Sequence, residues 1–295
     1  MIQVDFHAQS ALFLANSTFY QRLRAAARAH DSLLCVGLDP DPALLPAEFA
    51  GRDVADWLPA FVHGIVDATH DLVCCYKPNI AFFEAFGLPG QVALRSVLKA
   101  MPSDVPVLID AKRGDIGSTS TAYARALFDE LGADAVTVSP YLGGDALEPF
   151  FAYADRGVFV LCKTSNPGSG ELQDMPLADG EPLYLHVARR AQTWDQHGTL
   201  GLVVGATYPS EVAEVRRVAP GVPFLLPGVG SQAGDLEGAV RAAVDDNAEG
   251  ALVNASRSVA YASKGADWQV AARAEAERLK KAINAARRQP ATAER

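Results

Sequence analysis

Residues 105–119 read VPVLIDAKRGDIGST, an apolar run that ends in alternating charges and then in small polar residues. The run VPVLI has the length and composition of a buried parallel strand, because such strands are covered on both faces and show no polar alternation. Asp110, Lys112 and Asp115 follow at its carboxyl end. This stretch therefore predicts a strand that brings charged groups to one end of a parallel sheet.

Seven further apolar runs of this kind recur along the chain. They lie at 33–39, 72–77, 134–139, 157–163, 200–205, 222–228 and 250–256. Segments with helical spacing separate many of them, at 54–69, 119–131, 183–194, 210–218 and 235–244. The strand ends are about 31 residues apart on average, which is the size of a strand–helix–strand repeat. Eight such units predict an α/β protein that forms a (β/α)8 barrel, or TIM barrel.

The repeats leave little of the chain unassigned. We expect a single domain over residues 1–295 with its core at about 31–288, an N-terminal helix near 19–30 and a last helix near 267–288. An open, doubly wound sheet is the alternative architecture. Eight predicted strands, and the lack of a G-x-G-x-x-G pattern after the first strand, favour the barrel.

Composition and charge exclude several classes of function. The 295 residues are 49% hydrophobic and 21% charged, which is typical of a globular protein. The net charge of −9, with no basic run, disfavours nucleic-acid binding. No apolar stretch approaches the ~20 residues of a membrane-spanning helix, and the first residues lack the pattern of a secretory signal. We therefore expect a cytoplasmic protein that binds neither nucleic acid nor membrane.

The four cysteines predict no metal or redox site. Cys35, Cys74, Cys75 and Cys162 form no C-x-x-C pair and have no histidine at ligand spacing beside them. All four lie in apolar, strand-like runs, where a free cysteine behaves as a small buried hydrophobic residue.

Charged residues stand at the ends of the second and third predicted strands. Lys77 ends the second strand. Asp110 and Lys112 share one face of the third, since alternate strand residues point the same way, and Asp115 lies in the turn beyond. Such a cluster is either a structural salt-bridge network or an array that aims an ammonium at a reacting atom. Because barrel active sites lie at the carboxyl ends of the strands, we favour the array.

Two loops have the composition of an anion site. GVGSQ at 228–232 follows the seventh strand, and NASRS at 254–258 follows the eighth. The loops after these two strands form a recurrent phosphate site in this fold, and Arg257 can add a charge-assisted contact. GVGSQ alone would be read as an ordinary glycine turn, but Arg257 in the next loop favours a phosphorylated small molecule. The long segment that begins SNPGSG at 165–170 is either a surface connection or a lid over substrate.

The motif DAKRGDIGST at 110–119 resembles the Asp-x-Lys-x-x-Asp signature of the orotidine 5′-monophosphate decarboxylase family. Further blocks look like that family's and come in its order: GLDP at 37–40, KPN at 77–79, SNPG at 165–168, PGVGSQ at 227–232 and NASRS at 254–258. The resemblance covers roughly residues 19–263 and is closest to the longer bacterial branch. It implies an enzyme that converts orotidine 5′-monophosphate (OMP) to UMP and CO2, the last step of de novo pyrimidine nucleotide synthesis, with no metal and no organic cofactor.

The same resemblance implies a role for each matching residue. Lys112 would protonate C6 of the pyrimidine, Asp110 would lie against the substrate carboxylate, and Lys77 would bridge Asp110 and the ribose. Asp115, with Thr119 nearby, would reach into the site of a partner subunit, which implies a homodimer. The substrate-binding residues that it implies are Asp39 at the ribose, Thr119, Ser165 at the base, and Gly230, Gln232, Ser256 and Arg257 at the phosphate.

Two other functions fit the same scaffold. A metal-dependent sugar-phosphate decarboxylase or aldolase of the wider superfamily would share Asp-x-Lys-x-x-Asp, but the KPN and SNPG blocks favour the nucleotide enzyme. A catalytically silent barrel that only binds a nucleotide would be expected to have lost one of the four charges, and none is missing.

Overall fold

The computed structural model describes residues 17–228 and 236–289, and in this part of the chain eight parallel strands form one barrel. The strands are β1 (Leu34–Leu38), β2 (Cys75–Pro78), β3 (Leu108–Arg113), β4 (Ala135–Val138), β5 (Gly157–Lys163), β6 (Leu200–Val204), β7 (Phe224–Leu226) and β8 (Ala251–Ala255). Their hydrogen-bonded order is β2-β1-β8-β7-β6-β5-β4-β3. Isolated bridges from Tyr76 to Val107 and from Asn79 to Asp110 join β2 to β3, so the sheet closes on itself. The predicted (β/α)8 barrel is confirmed.

Helices alternate with the strands and cover the outside of the barrel. The longer α-helices are Phe19–Ala29, Val54–Thr69, Gly87–Lys99, Gly117–Arg125, Leu183–Trp194, Pro209–Val218, Leu236–Ala243 and Trp268–Arg287. Short α-helical turns lie at Ala81–Glu84, Glu148–Phe151 and Arg257–Ala260, and 3-10 turns at Ala47–Phe49, His70–Leu72 and Pro167–Glu171. The helix predicted over 119–131 begins at Gly117 and changes to a π-helical turn over Ala126–Glu130.

The N-terminal helix covers the amino end of the barrel. A capping box begins it, in which the Thr18 hydroxyl accepts from the Gln21 backbone and the Gln21 side chain accepts from the Thr18 backbone. The Phe19 ring is fully buried and packs edge-on to Phe159 of β5, at 5.9 Å between centroids. A side chain on Gly157, the first residue of β5, would collide with the same ring. The helix therefore covers the strand starts and leaves the carboxyl ends free to form a site.

The core is continuous from the barrel interior to the helices. Every residue of β1, β2, β4, β6, β7 and β8 is buried, and so are all four cysteines, which form no disulfide. In β3 the pattern changes at its end, where Lys112 is exposed and Arg113 is half-buried. No helix in the described ranges is both long enough and apolar enough to cross a membrane.

The helix Gly87–Lys99 packs closely against the turn that follows β2, and we predict that Gly90→Ala destabilises the fold. A Cβ at Gly90 would lie 1.9 Å from the carbonyl oxygen of Phe83, a backbone atom that no side-chain rotation can move away. We expect the free energy of unfolding in urea to fall by about 1–3 kcal/mol, even though alanine is the better helix former. Gly221→Ala is the control, because a Cβ there meets nothing within 4 Å. Equal stability of the two variants would contradict this packing.

Candidate active site

Strand β3 is irregular at the point where it carries its charges. Ile109 pairs with Val136 of β4 and Arg113 pairs with Val138, so β3 advances four residues while β4 advances two. Lys112 has a φ of +47°, in the left-handed region that non-glycine residues seldom adopt. A residue held there costs about 1–3 kcal/mol and persists only where its surroundings fix it. Asp110 and Lys112 thus come together through a bulge rather than through the regular alternation that the sequence predicts.

The Asp110 carboxylate is the centre of the polar contacts at this end of the barrel. Its Oδ1 is 2.6 Å from the Lys112 ammonium, and its Oδ2 is 3.2 Å from the Lys77 ammonium. The Thr137 hydroxyl on β4 donates to Oδ1 at 2.8 Å and accepts from the backbone N–H of Lys112 at 2.9 Å. Thr137 therefore fixes both the carboxylate and the unusual backbone beside it.

Burial and charge act in opposite directions on this cluster. Burial alone would lower the pKa of Lys77, but the carboxylates of Asp39 and Asp110 outweigh it and hold that pKa above its ordinary value. Burial would likewise raise the pKa of Asp110, but the ammoniums of Lys77 and Lys112 hold it below the usual range. Both groups are thus charged at neutral pH. The Lys112 side chain is 48% exposed while those of Lys77 and Asp110 are about 5–10% exposed, so Lys112 is the member that a ligand can reach.

A cavity of about 480 Å³ opens beside these charges. Its size lies within the range of ~300–1,000 Å³ that is typical of small-molecule sites. Its lining residues are Asp39, Asp41, Phe82, Ser165, Asn166, Pro167, Gly228, Asn254, Ser256, Arg257 and Ser258. Carboxylates from the loop after β1 and a guanidinium from the loop after β8 therefore face one space. Such a cavity suits a ligand with hydroxyl donors on one part and an anionic group on another.

Asn79 connects the cavity to the charged cluster. Its backbone N–H donates to Asp39 Oδ1 at 3.2 Å, and its side-chain amide donates to Asp110 Oδ2 at 3.4 Å. Asp39 in the cavity wall and Asp110 in the cluster are thus held by one residue. A ligand that occupies the cavity can therefore extend toward Lys112.

The structure brings together most of the residues that the sequence singles out. Asp39, Ser165, Ser256 and Arg257 line the cavity, and Lys77, Asp110 and Lys112 form the adjoining cluster. Gly230 and Gln232 lie outside the described residues.

Asp115 and Thr119 lie apart from that cluster, although we expect from the sequence that Asp115 is one of its four charged residues. The Asp115 carboxylate accepts from the backbone N–H of Ile116 at 2.8 Å, and Thr119 is exposed at the start of the next helix. Both residues come after β3 has ended at Arg113, whose side chain pairs with Glu84 at 2.7 Å.

Three residues that complete the site have no individual role in the sequence analysis, although Asn79 and Asn254 belong to its KPN and NASRS motifs. Thr137 and Asn79 hold the Asp110 carboxylate, and Asn254 is a buried member of the cavity wall. The Oδ1 atom of Asn254 has no hydrogen-bond partner within the described ranges. A polar residue inside an otherwise apolar β8 run was the available signal for Asn254. Thr137 lies in the run DAVTVS, and because threonine is common in any strand, nothing in that run distinguishes it as a site residue.

Comparison with known proteins agrees with the resemblance that the motifs carry. A family model described as "Orotidine 5'-phosphate decarboxylase / HUMPS family" matches residues 32–274. A Roseiflexus castenholzii protein named orotidine 5′-phosphate decarboxylase is 56% identical over 271 residues, 92% of this chain and 98% of that protein. A Bordetella avium protein of the same name is 51% identical, over 91% of this chain and 99% of its own length. A solved structure of Leishmania donovani OMP decarboxylase matches with 42% identity and a TM-score of 0.81, over 92% of this chain and 100% of that one.

We predict that Asp110→Asn destabilises the protein in a pH-dependent way. Removing one partner of a buried ion pair costs about 3–5 kcal/mol, because it leaves the other charge uncompensated. The pKa of Asp110 is depressed in the folded state, so its stabilising effect is complete above the pKa of an unfolded aspartate, about 3.9. That effect is lost as the pH falls through the lower, folded-state pKa. Urea unfolding should show the same difference in the free energy of unfolding between the unmodified protein and the variant from pH 7 down to about pH 4. Below about pH 4 this difference should shrink. A difference that stays constant through the acid range would contradict a charged Asp110.

Proposed function

The chain belongs to the orotidine 5′-phosphate decarboxylase/HUMPS family, and we propose that it converts OMP to UMP and CO2 as a cytoplasmic enzyme, without a metal or an organic cofactor. The observation that carries this proposal is the Lys112 ammonium, 2.6 Å from Asp110 and exposed at the barrel mouth. The names of the curated relatives favour this reaction over that of a metal-dependent relative.

Loss of CO2 from C6 of the pyrimidine leaves an electron pair that no adjacent carbonyl can take up fully. An ammonium held beside C6 stabilises that negative charge and then supplies a proton, so Lys112 performs both steps. Asp110 and Thr137 orient Lys112 before substrate arrives, which removes the cost of reorganisation during the reaction. Asp110 also lies where the substrate carboxylate must leave, and their repulsion is relieved as CO2 departs.

The rest of the nucleotide fits the cavity. Asp39 accepts from a ribose hydroxyl, Lys77 lies between Asp110 and the ribose, and Ser165 contacts the base. Arg257 and the backbone near Ser256 bind the phosphate, together with Gly230 and Gln232, which follow β7 in the sequence. The phosphate is remote from C6, so its binding energy is available to hold the reacting end in place and contributes to kcat as well as to KM.

Two copies of the chain would complete each site. Asp115 lies in the turn after β3 and Thr119 in the first turn of the helix Gly117–Arg125, and neither joins the cluster of its own chain. In a two-fold dimer the same loop of each subunit faces the other, so each turn can reach the partner's barrel mouth. Asp115 would then add a carboxylate near the partner subunit's ammonium, and Thr119 a contact to the partner's substrate.

The direct test of the proposed function is turnover of OMP, followed by the absorbance change to UMP with EDTA present. We predict turnover by the unmodified protein and a fall of at least about 10⁴-fold in kcat for Lys112→Ala, since that variant loses both the acid and the fixed charge. Lys99→Ala, at an exposed lysine on the helix Gly87–Lys99, is the control and should keep full activity. No turnover by a folded, unmodified protein would contradict the function. Activity of Lys112→Ala within about tenfold of the unmodified enzyme would exclude Lys112 as the proton donor.

The shared site predicts complementation between two inactive variants, Lys112→Ala and Asp115→Ala, when they are unfolded and refolded together. Random pairing makes about half of the dimers mixed, and each mixed dimer has one intact site, so about a quarter of the unmodified activity should return. Mixing Lys112→Ala with Asp110→Asn is the control. Both of these residues serve one chain's own cluster, so no activity should return. Absence of recovery in the first mixture, with mixed dimers shown to have formed, would refute the shared site.

A further inference from the structure

Lys163 is the last residue of β5, much as Lys77 lies near the end of β2, but its ammonium does not join the charged cluster at the barrel mouth. The side chain is 2% exposed and ion-pairs with Asp174, while Glu211 Oε1 lies 3.6 Å away. The ammonium also lies 5.5 Å from the centroid of the Tyr184 ring, within cation–π range. The ion pair and the ring contact together place a buried charge outside the barrel, between β5 and the helices Leu183–Trp194 and Pro209–Val218.

Asp174 belongs to the segment between β5 and the helix Leu183–Trp194. Its neighbour Gln173 connects the same segment to Thr164, the residue after β5, through hydrogen bonds. The Gln173 side-chain amide accepts from the backbone N–H of Thr164 at 2.9 Å and donates to the Thr164 hydroxyl at 2.8 Å. That hydroxyl donates in turn to Asn166 Oδ1 at 2.6 Å. The contacts fix both ends of the short stretch that contains Ser165.

We propose that Lys163, Asp174 and Gln173 are positioning residues that hold Ser165, Asn166 and Pro167 against the substrate cavity. These three wall residues follow directly after Lys163 and Thr164, and all of them line the cavity. The ion pair and the two amide hydrogen bonds therefore set the wall that faces the nucleobase, although none of the positioning residues lines that cavity. This inference rests on the proposed function, since it assigns the wall to a pyrimidine nucleotide.

The two carboxylates around Lys163 provide a matched pair for the test. A buried ammonium needs opposite charge nearby, and Asp174 and Glu211 both supply it. Asp174 lies on the segment that carries the wall, whereas Glu211 lies on the helix Pro209–Val218 and pairs with Lys163 from there. A role in stability alone would make the two acids equivalent, whereas a role in positioning would make only Asp174 important for the base.

The experiment measures the binding of UMP and of ribose 5-phosphate to Asp174→Asn and to Glu211→Gln by calorimetry. Asp174→Asn should weaken UMP binding about tenfold, a size typical of coupling through a hydrogen-bond network, and leave ribose 5-phosphate within about twofold, because that probe lacks the base. Glu211→Gln should leave both affinities within about twofold. In OMP turnover, Asp174→Asn should raise KM more than it lowers kcat.

Two further variants keep the test decisive. Asp174→Glu retains the carboxylate and should restore most of the UMP affinity. Gln173→Leu removes the hydrogen bonds to Thr164 while leaving the ion pair, so it should repeat the selective loss of UMP binding even if Asp174→Asn does not fold.

Equal effects of the Asp174 and Glu211 variants, or an equal loss of UMP and ribose 5-phosphate, would overturn the inference. UMP binding by an unmodified protein that does not turn over OMP would contradict the proposed function alone. No UMP binding would contradict both.

Discussion

The Asp110 carboxylate lies between the ammoniums of Lys77 and Lys112, and the carboxyl end of the barrel is built around this contact. A single buried carboxylate would be driven to take up a proton, and a single buried ammonium to lose one. Together they remain charged, with Thr137 and Asn79 supplying the remaining hydrogen bonds. The cluster therefore holds opposite charges beside a cavity that can take a ligand.

The need to hold Lys112 beside Asp110 explains the irregular backbone of β3. A regular β3 would place Asp110 and Lys112 one above the other, but the bulge and the positive φ at Lys112 bring the ammonium to the exposed side of the carboxylate. Strain of this kind needs support from rigid neighbours, and β4 supplies it through Thr137. The N-terminal helix covers the opposite end of the barrel, where Phe19 packs on Phe159.

Much of the fold could be predicted from the sequence because each buried strand is a short apolar run, and most of the runs have a polar residue at their end. The runs at 33–39 and 250–256 contain β1 and β8 almost residue for residue. The bulge in β3 could not be predicted, because alternation assumes a regular strand, and only contact with Thr137 on β4 fixes the left-handed backbone. A charge at the end of an apolar strand is easy to recognise in a sequence, so it was possible to predict Asp110, Lys112 and Lys77.

Lys163 shows the limit of that reasoning, because it also follows an apolar run, at the end of β5, but its side chain points outward to Asp174. Its direction depends on a register shift against β6 and on acids from two other segments.

The most direct test of the central claim is the protonation state of the cluster, measured by neutron diffraction from crystals of the deuterium-exchanged protein without ligand. If the charges are fixed before substrate binds, neither Asp110 oxygen carries a deuteron, and Nζ of Lys77 and Nζ of Lys112 carry three deuterons each. A deuteron on Asp110, or a neutral amine at either lysine, would contradict the claim that charge fixed before the substrate binds is what this barrel provides for catalysis.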